Sequence, residues 1–147
     1  MNAISFILKE HHKIRKSFAE IGKKSHRYTT KKAMFNALSR YLLRHETMEQ
    51  TVWYPNFKNS KKIKNEVKHL LSEENHAEKV IKKLKTIKDE IEWEKSFTKF
   101  KKAVEQHAQE EEKKLFPNVR DILDKTELEQ IGKKMWAFKR KYNKSKH

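Results

Sequence analysis

The phrase HETMEQTVWYP at residues 45–55 returns at residues 107–117 as HAQEEEKKLFP. In each, a His precedes a Glu by four places, and two bulky residues and a proline follow. Four places is just over one helical turn, so His45 and Glu49 share a helix face roughly 6 Å apart along its axis, as do His107 and Glu111. The proline then marks where each helix stops or kinks. Both prolines of the chain stand in these two phrases. A doubled "helix, His, Glu, helix end" is the signature of an all-α fold with two related halves.

Composition agrees. The chain has 147 residues, enough for one domain with a sizeable core. It holds two Gly, two Pro and no Cys, too few breakers for a fold of many tight turns, so long helices with short polar connections are expected. Without cysteine, any metal must be held by His nitrogen and carboxylate oxygen.

Outward from the repeated phrase, apolar stripes define the helices. Ile4, Ile7, His11, Ile14, Phe18 and Ile21 mark a first helix over residues 2 to about 26. Thr30 is the expected N-cap of a second, which carries Met34, Leu38, Tyr41, His45, Glu49 and Val52 on one face. His69, Glu73, His76, Val80, Leu84 and Ile87 can share a face of a third, over about 61–88. Asp89 with Glu92 reads as a capping box for a fourth, with Trp93, Phe97, Phe100, Val104, His107 and Glu111 in step. Thr126 with Glu129 is a second such box, opening a short last helix. The expected architecture is an up-down-up-down four-helix bundle over residues 1–142 with a short fifth C-terminal helix, followed by a polar basic tail at 143–147.

The formal net charge is +16, mostly from lysine. It makes an acidic partner or nucleic acid a candidate for the surface. The lysines follow no recognition-helix or basic-region pattern, so a basic nucleic-acid-binding helical protein with structural histidines is the alternative reading. No apolar run approaches the roughly 18 residues of a membrane span, and no leader pattern is visible, so a cytoplasmic protein is expected.

Each long helix places a His on or beside its stripe: His11, His45, His76 and His107. Carboxylates in a bundle core are costly unless neutralised, and Glu49 and Glu111 sit on core stripes, so cations are expected between the helices. The halves, each a "His helix" followed by a "His-x-x-x-Glu helix", predict a two-centre site of approximate internal symmetry. Donors of this mix suit iron, with manganese and zinc as the other candidates. Glu46, next to His45, is the obvious further carboxylate. Glu73 and Tyr41 are candidates for groups behind the ligands. Trp53, Tyr54, Leu115 and Phe116 read as core plugs, His12 as outward-facing, and His26, His69 and His147 as incidental.

The four elements EHHKIRKSF, RHETMEQTVWYP, EENHAEKVIKKL and EQHAQEEEKKLFP, in this order over residues 4–117, resemble the hemerythrin-like family, the HHE cation-binding domain. The resemblance implies a non-heme diiron centre with an oxo or hydroxo bridge, held by His11, His45, Glu49, His76, His107 and Glu111, with Glu49 and Glu111 bridging. It implies O2, NO or peroxide as the small ligand. One departure stands out: oxygen carriers of the family take two histidines, four apart, from the third helix, whereas Ser72 and Val80 flank His76 here. Glu46 is the residue that can close the site in such relatives, and that favours sensing or iron and oxidative-stress handling over reversible O2 carriage. No nucleophile or substrate pocket is legible, so a binding protein is expected rather than an enzyme, with weak peroxidase or oxidase activity as a side reaction.

Overall fold

A computed structural model describes residues 1–145. Six α-helices follow in order: α1 (Ala3–Ile21), α2 (Tyr28–Met48), α3 (Lys64–Thr86), α4 (Glu90–Glu110), α5 (Phe116–Ile122) and α6 (Lys125–Ser145). The first four form an all-α bundle, and α6 packs along α1 and α2. Among the described residues no helix is long and apolar enough to cross a membrane.

Local chemistry sets the helix ends. The Asn2 side chain accepts from the Ser5 N–H at 2.9 Å to start α1, and Asp89 accepts from Glu92 N–H at 2.8 Å to start α4, the latter as expected from sequence. α1 stops at Ile21 rather than near residue 26, with Gly22 as its C-cap. α2 begins at Tyr28, before Thr30, because the Tyr28 ring packs edge-on against Trp93, 5.8 Å between centroids, and draws the first turn onto the core. The last helix is opened by Asp124 and Glu127, each accepting the other's backbone N–H, rather than by Thr126 and Glu129. It is 21 residues long, and the Trp136 ring meets Phe6 of α1 edge-on. Of the basic tail expected from 143 on, residues 143–145 continue α6, while 146 and 147, including His147, lie outside the described residues.

The repeated phrase has its own backbone signature. α2 widens into a π-helical turn at Glu49–Trp53, and α4 does the same at Glu111–Leu115. Pro55 and Pro117 lack an N–H, and in a regular α-helix each ring would collide with the carbonyl four residues back. The widened turn relieves this: the Tyr54 N–H bonds the Glu49 carbonyl, and the Phe116 N–H the Glu111 carbonyl. Such turns concentrate at functional sites. Trp53 and Leu115, which end these turns, and Tyr54 and Phe116, which follow them, are all buried.

The apolar core is split in two. One cluster gathers Ile4, Ile7, Trp53, Phe57, Leu115 and Met135; the other gathers Ile14, Phe18, Phe35, Leu84, Trp93 and Phe97. In the second, the Phe35 ring stands edge-on to Trp93, Phe97 and Phe100 at about 6 Å, a favoured aromatic arrangement. Along every long helix, polar residues separate the two clusters: Glu10 and His11, His45 and Glu46, Glu73 and Glu74, His107 and Glu111. The bundle therefore carries a polar belt across its middle.

Candidate metal centre

The belt is buried. His11, His45, Glu46, Glu74, Glu49 and Glu111 are all under a tenth exposed, Glu49 and Glu111 completely buried, and His107 is 16% exposed. Three histidines turn one ring nitrogen inward and the other outward. Inward, His11 Nε2 lies 3.3 Å from Glu111, His45 Nε2 3.2 Å from Glu49, and His107 Nε2 3.1 Å from Glu74 and 3.8 Å from Glu111. Outward, each Nδ1 meets a carboxylate: Glu112 at 2.6 Å for His11, Glu10 at 2.8 Å for His45, and Glu73 at 3.0 Å for His107. An ionised carboxylate only accepts, so Nδ1 carries the proton and Nε2 is the nitrogen left to face a ligand.

The outer carboxylates are held ionised. Burial acts to raise Glu10, but His45, Arg44 and Lys139 hold it below the usual carboxylate range. His107 lowers Glu73. Burial of Glu112 is likewise outweighed by His11 and by Arg15, which also pairs with Glu105 at 2.8 Å. Tyr41 donates to Glu10 at 3.4 Å, one contact further from the centre than its sequence position suggests.

The inner carboxyls differ among themselves. Neither oxygen of Glu49 or Glu111, nor Oε2 of Glu46, accepts a directed hydrogen bond. Burial, then the charges of Glu111 and Glu74, push Glu49 well above the ordinary carboxyl value. Burial and Glu74 push Glu46 to about 9. Burial would raise Glu111 too, yet its neighbours Glu49 (protonated), His11 and His107 draw it down to about 2. Burial disfavours the cationic imidazoles, but Glu111 and Glu112 raise His11 to about 9, while Glu73 and Glu74 raise His107 to about 11. In the absence of a cation the belt thus fills with protons.

Two sets of donors converge. His11, His45 and Glu111 offer ligand atoms within 4.8 Å of one another, and so do Glu49, His107 and Glu111. The two sets share Glu111. A third set, His69 with Glu73 and Glu110, lies at the surface, and His69 is 59% exposed.

Of the residues singled out from sequence, His11, His45, Glu49, His107 and Glu111 come together, with Glu46 alongside and Glu73 behind His107. His76 does not join them: it is exposed on α3 and has no hydrogen bond or ion pair with them. It lines, on the exposed side, the same cavity that His11, His45, Glu49 and His107 border, without reaching their ligand atoms. Glu74 occupies the inward position instead, bonded by His107, by the Tyr54 hydroxyl at 2.8 Å and by Gln50 at 2.9 Å. Burial, then the nearby Glu111, Glu49 and Glu74 charges, raise Tyr54 well above its usual value, so it stays a donor. Glu74, Glu10, Glu112 and Tyr54 were missed from sequence. The signal for Glu74 was present in the stripe Val67, Leu70, Glu74, Ile81 and Leu84, all buried, which steps through a glutamate.

A helical bundle crossed by a buried histidine–carboxylate belt, with two donor sets sharing one carboxylate, defines a cation-binding bundle protein. The model of the hemerythrin HHE cation binding domain matches residues 2–119. The chain belongs to that family. Searches of curated proteins and of solved structures returned no match.

Proposed function

We propose that the belt holds two iron ions and that the protein binds or senses O2, with NO or peroxide as related ligands. The observation that carries this is the pair of donor sets sharing Glu111, whose oxygens, like those of Glu49, are buried without hydrogen-bond donors. Such groups are costly in a core unless a cation meets them. The proposed ligands are His11, His45, Glu49, Glu74, His107 and Glu111, with Glu46 as an additional one. Nitrogen and oxygen donors of this mix suit iron, and manganese or zinc would also be accepted. When bound, the irons supply a redox-active position at which a small diatomic or peroxide can attach.

The chain's own residues supply the rest. Glu10, Glu73 and Glu112 orient the imidazoles. Tyr54 and Gln50 fix Glu74. Trp53, Phe57 and Phe116 seal one end of the belt with apolar bulk. Compared with an imidazole-rich site, carboxylate ligands from Glu74 and from Glu46, once a metal displaces the Glu46 proton, would favour the more highly charged ferric state, which supports sensing or iron and oxidative-stress handling over reversible carriage.

The test is metal content per chain after purification without chelator, followed by anaerobic iron loading. Wild type and His76→Ala should each hold about two irons, whereas Glu74→Ala and His107→Ala should lose at least one. Normal metal in Glu74→Ala with loss in His76→Ala would overturn the ligand assignment, and no retained metal in wild type would overturn the diiron reading.

A further inference from the structure

A cavity of about 920 Å³ lies within the bundle, extending from the belt toward the α3–α4 connection. Along α3 it runs from Ser72 to Leu84, about 18 Å at 1.5 Å per residue, and on to Ile87 just past the helix end. Its wall beyond the belt is apolar, formed by Ile14, Phe18, Leu42, Val80, Leu84 and Phe100. Lys79 and Lys83 from α3 and Lys99 and Lys101 from α4 line its rim, all four exposed, while the carboxylates that also line it, Glu73 and Glu105, are paired with His107 and Arg15. None of these lysines makes an ion pair with a described residue.

The volume is out of proportion to a small gas. A water takes about 30 Å³ of liquid, and O2, NO and peroxide are of similar size, whereas sites of roughly 300–1,000 Å³ take whole organic ligands. The chemistry of the wall also selects. Long, apolar and poor in hydrogen-bonding groups, it suits an alkyl chain. The unpaired lysines suit an anionic head, and their place on the exposed rim, with the apolar wall inside, fixes the orientation.

We propose that this cavity binds a single-chain alkyl carboxylate, its chain along the apolar wall and its carboxylate among Lys79, Lys83, Lys99 and Lys101. The binding needs no metal ligand, so it stands or fails apart from the diiron reading. The experiment is calorimetric titration of the metal-free full chain with tetradecanoate below its micellar concentration. One saturable site per chain is expected, weakened at least about tenfold by Val80→Trp, which fills the cavity, and by the triple change Lys79→Gln, Lys83→Gln, Lys99→Gln. 1-Tetradecanol should bind at least about tenfold more weakly than the carboxylate. Circular dichroism checks each variant, and if Val80→Trp fails to fold, the lysine variant decides. No saturable binding, or equal affinity in both folded variants, would overturn the proposal. So would binding only to anionic vesicles, which would make the lysines a membrane-facing patch.

Discussion

Glu49→Leu should make the metal-free protein more stable, and by an amount that depends on pH. Glu49 is completely buried, accepts no directed hydrogen bond and is held protonated well above the 4.5 it has when exposed. A group whose folded pKa is raised in this way costs nothing below its unfolded pKa and becomes destabilising as pH climbs above it. For as long as the carboxyl keeps its proton in the fold, each pH unit above the exposed value adds about 1.4 kcal/mol against folding. Leucine is similar in volume and needs no partner. The substitution should therefore stabilise more at pH 7 than at pH 5, by up to about 3 kcal/mol over those two units. At about 2–4 °C per kcal/mol for a chain of this size, the gain in Tm should be larger at pH 7 than at pH 5, by up to about 6–12 °C.

Scanning calorimetry with chelator present, at both pH values, reads this directly. With iron the order should reverse. Wild type gains about 4 kcal/mol at free metal a thousandfold above Kd, while the variant, lacking a ligand, gains far less. A variant that melts at or below wild type at pH 7 without metal would refute the reasoning. So would a gain of equal size at pH 5, because the destabilisation would then not come from a carboxyl forced to keep its proton.

Three further outcomes follow from the same geometry. Because His11 and His107 are raised to about 9 and about 11, their stabilising charge is complete below about pH 6.5 and lost as pH rises through those values. Iron must displace both protons at pH 7, so titration calorimetry in buffers of different ionisation enthalpy should show at least about two protons released per chain loaded, and none released would contradict the assignment. Glu10→Gln and Glu73→Gln each remove the charged acceptor behind one imidazole and should weaken metal binding about 10–100-fold, measured by competition with a chelator; unchanged affinity would mean the outer carboxylates orient nothing. Gly132→Ala places a Cβ against the backbone of Met1 and Asn2, with the Asn2 carbonyl carbon at 2.9 Å, and should lower stability by about 1–3 kcal/mol in a denaturant melt, since the N-terminal turn has to shift.

The repeated phrase made the bundle, the belt and five of its inner residues legible, because helical spacing and the cost of buried charge act locally. What it could not fix was competition between equal local signals. Thr126 with Glu129 and Asp124 with Glu127 are both good capping boxes, and only packing of α6 chooses the earlier one. On α3, a stripe through His69, Glu73 and His76 competed with one through Leu70, Glu74 and Ile81. The more hydrophobic stripe lies in the core and carries Glu74 in with it, while His76 stands at the exposed side of the cavity that borders the belt. The π-helical turns were equally hidden, since a proline in sequence announces a disturbance but not how the preceding turn absorbs it.

The internal symmetry also runs deeper than the phrase, and its breakdown predicts a property of the centre. Glu10 on α1 backs His45 on α2, just as Glu73 on α3 backs His107 on α4. The next residue in each case points inward, but it is His11 in the first half and Glu74 in the second. One donor set therefore has two imidazoles, His11 and His45, while the other has one, His107, with Glu49 and Glu74 near it. The flanking plugs follow suit: Tyr54 gives its hydroxyl to Glu74, and Phe116, in the matching place, has none to give. Two irons bound here would see different charge, so Mössbauer spectra of the loaded diferric protein should show two quadrupole doublets of equal area. Glu74→His, which restores an imidazole to the second half, should draw the doublets together. A single doublet in wild type would mean that the ligands rearrange on loading until the halves match, and Glu74 would then not be what distinguishes them.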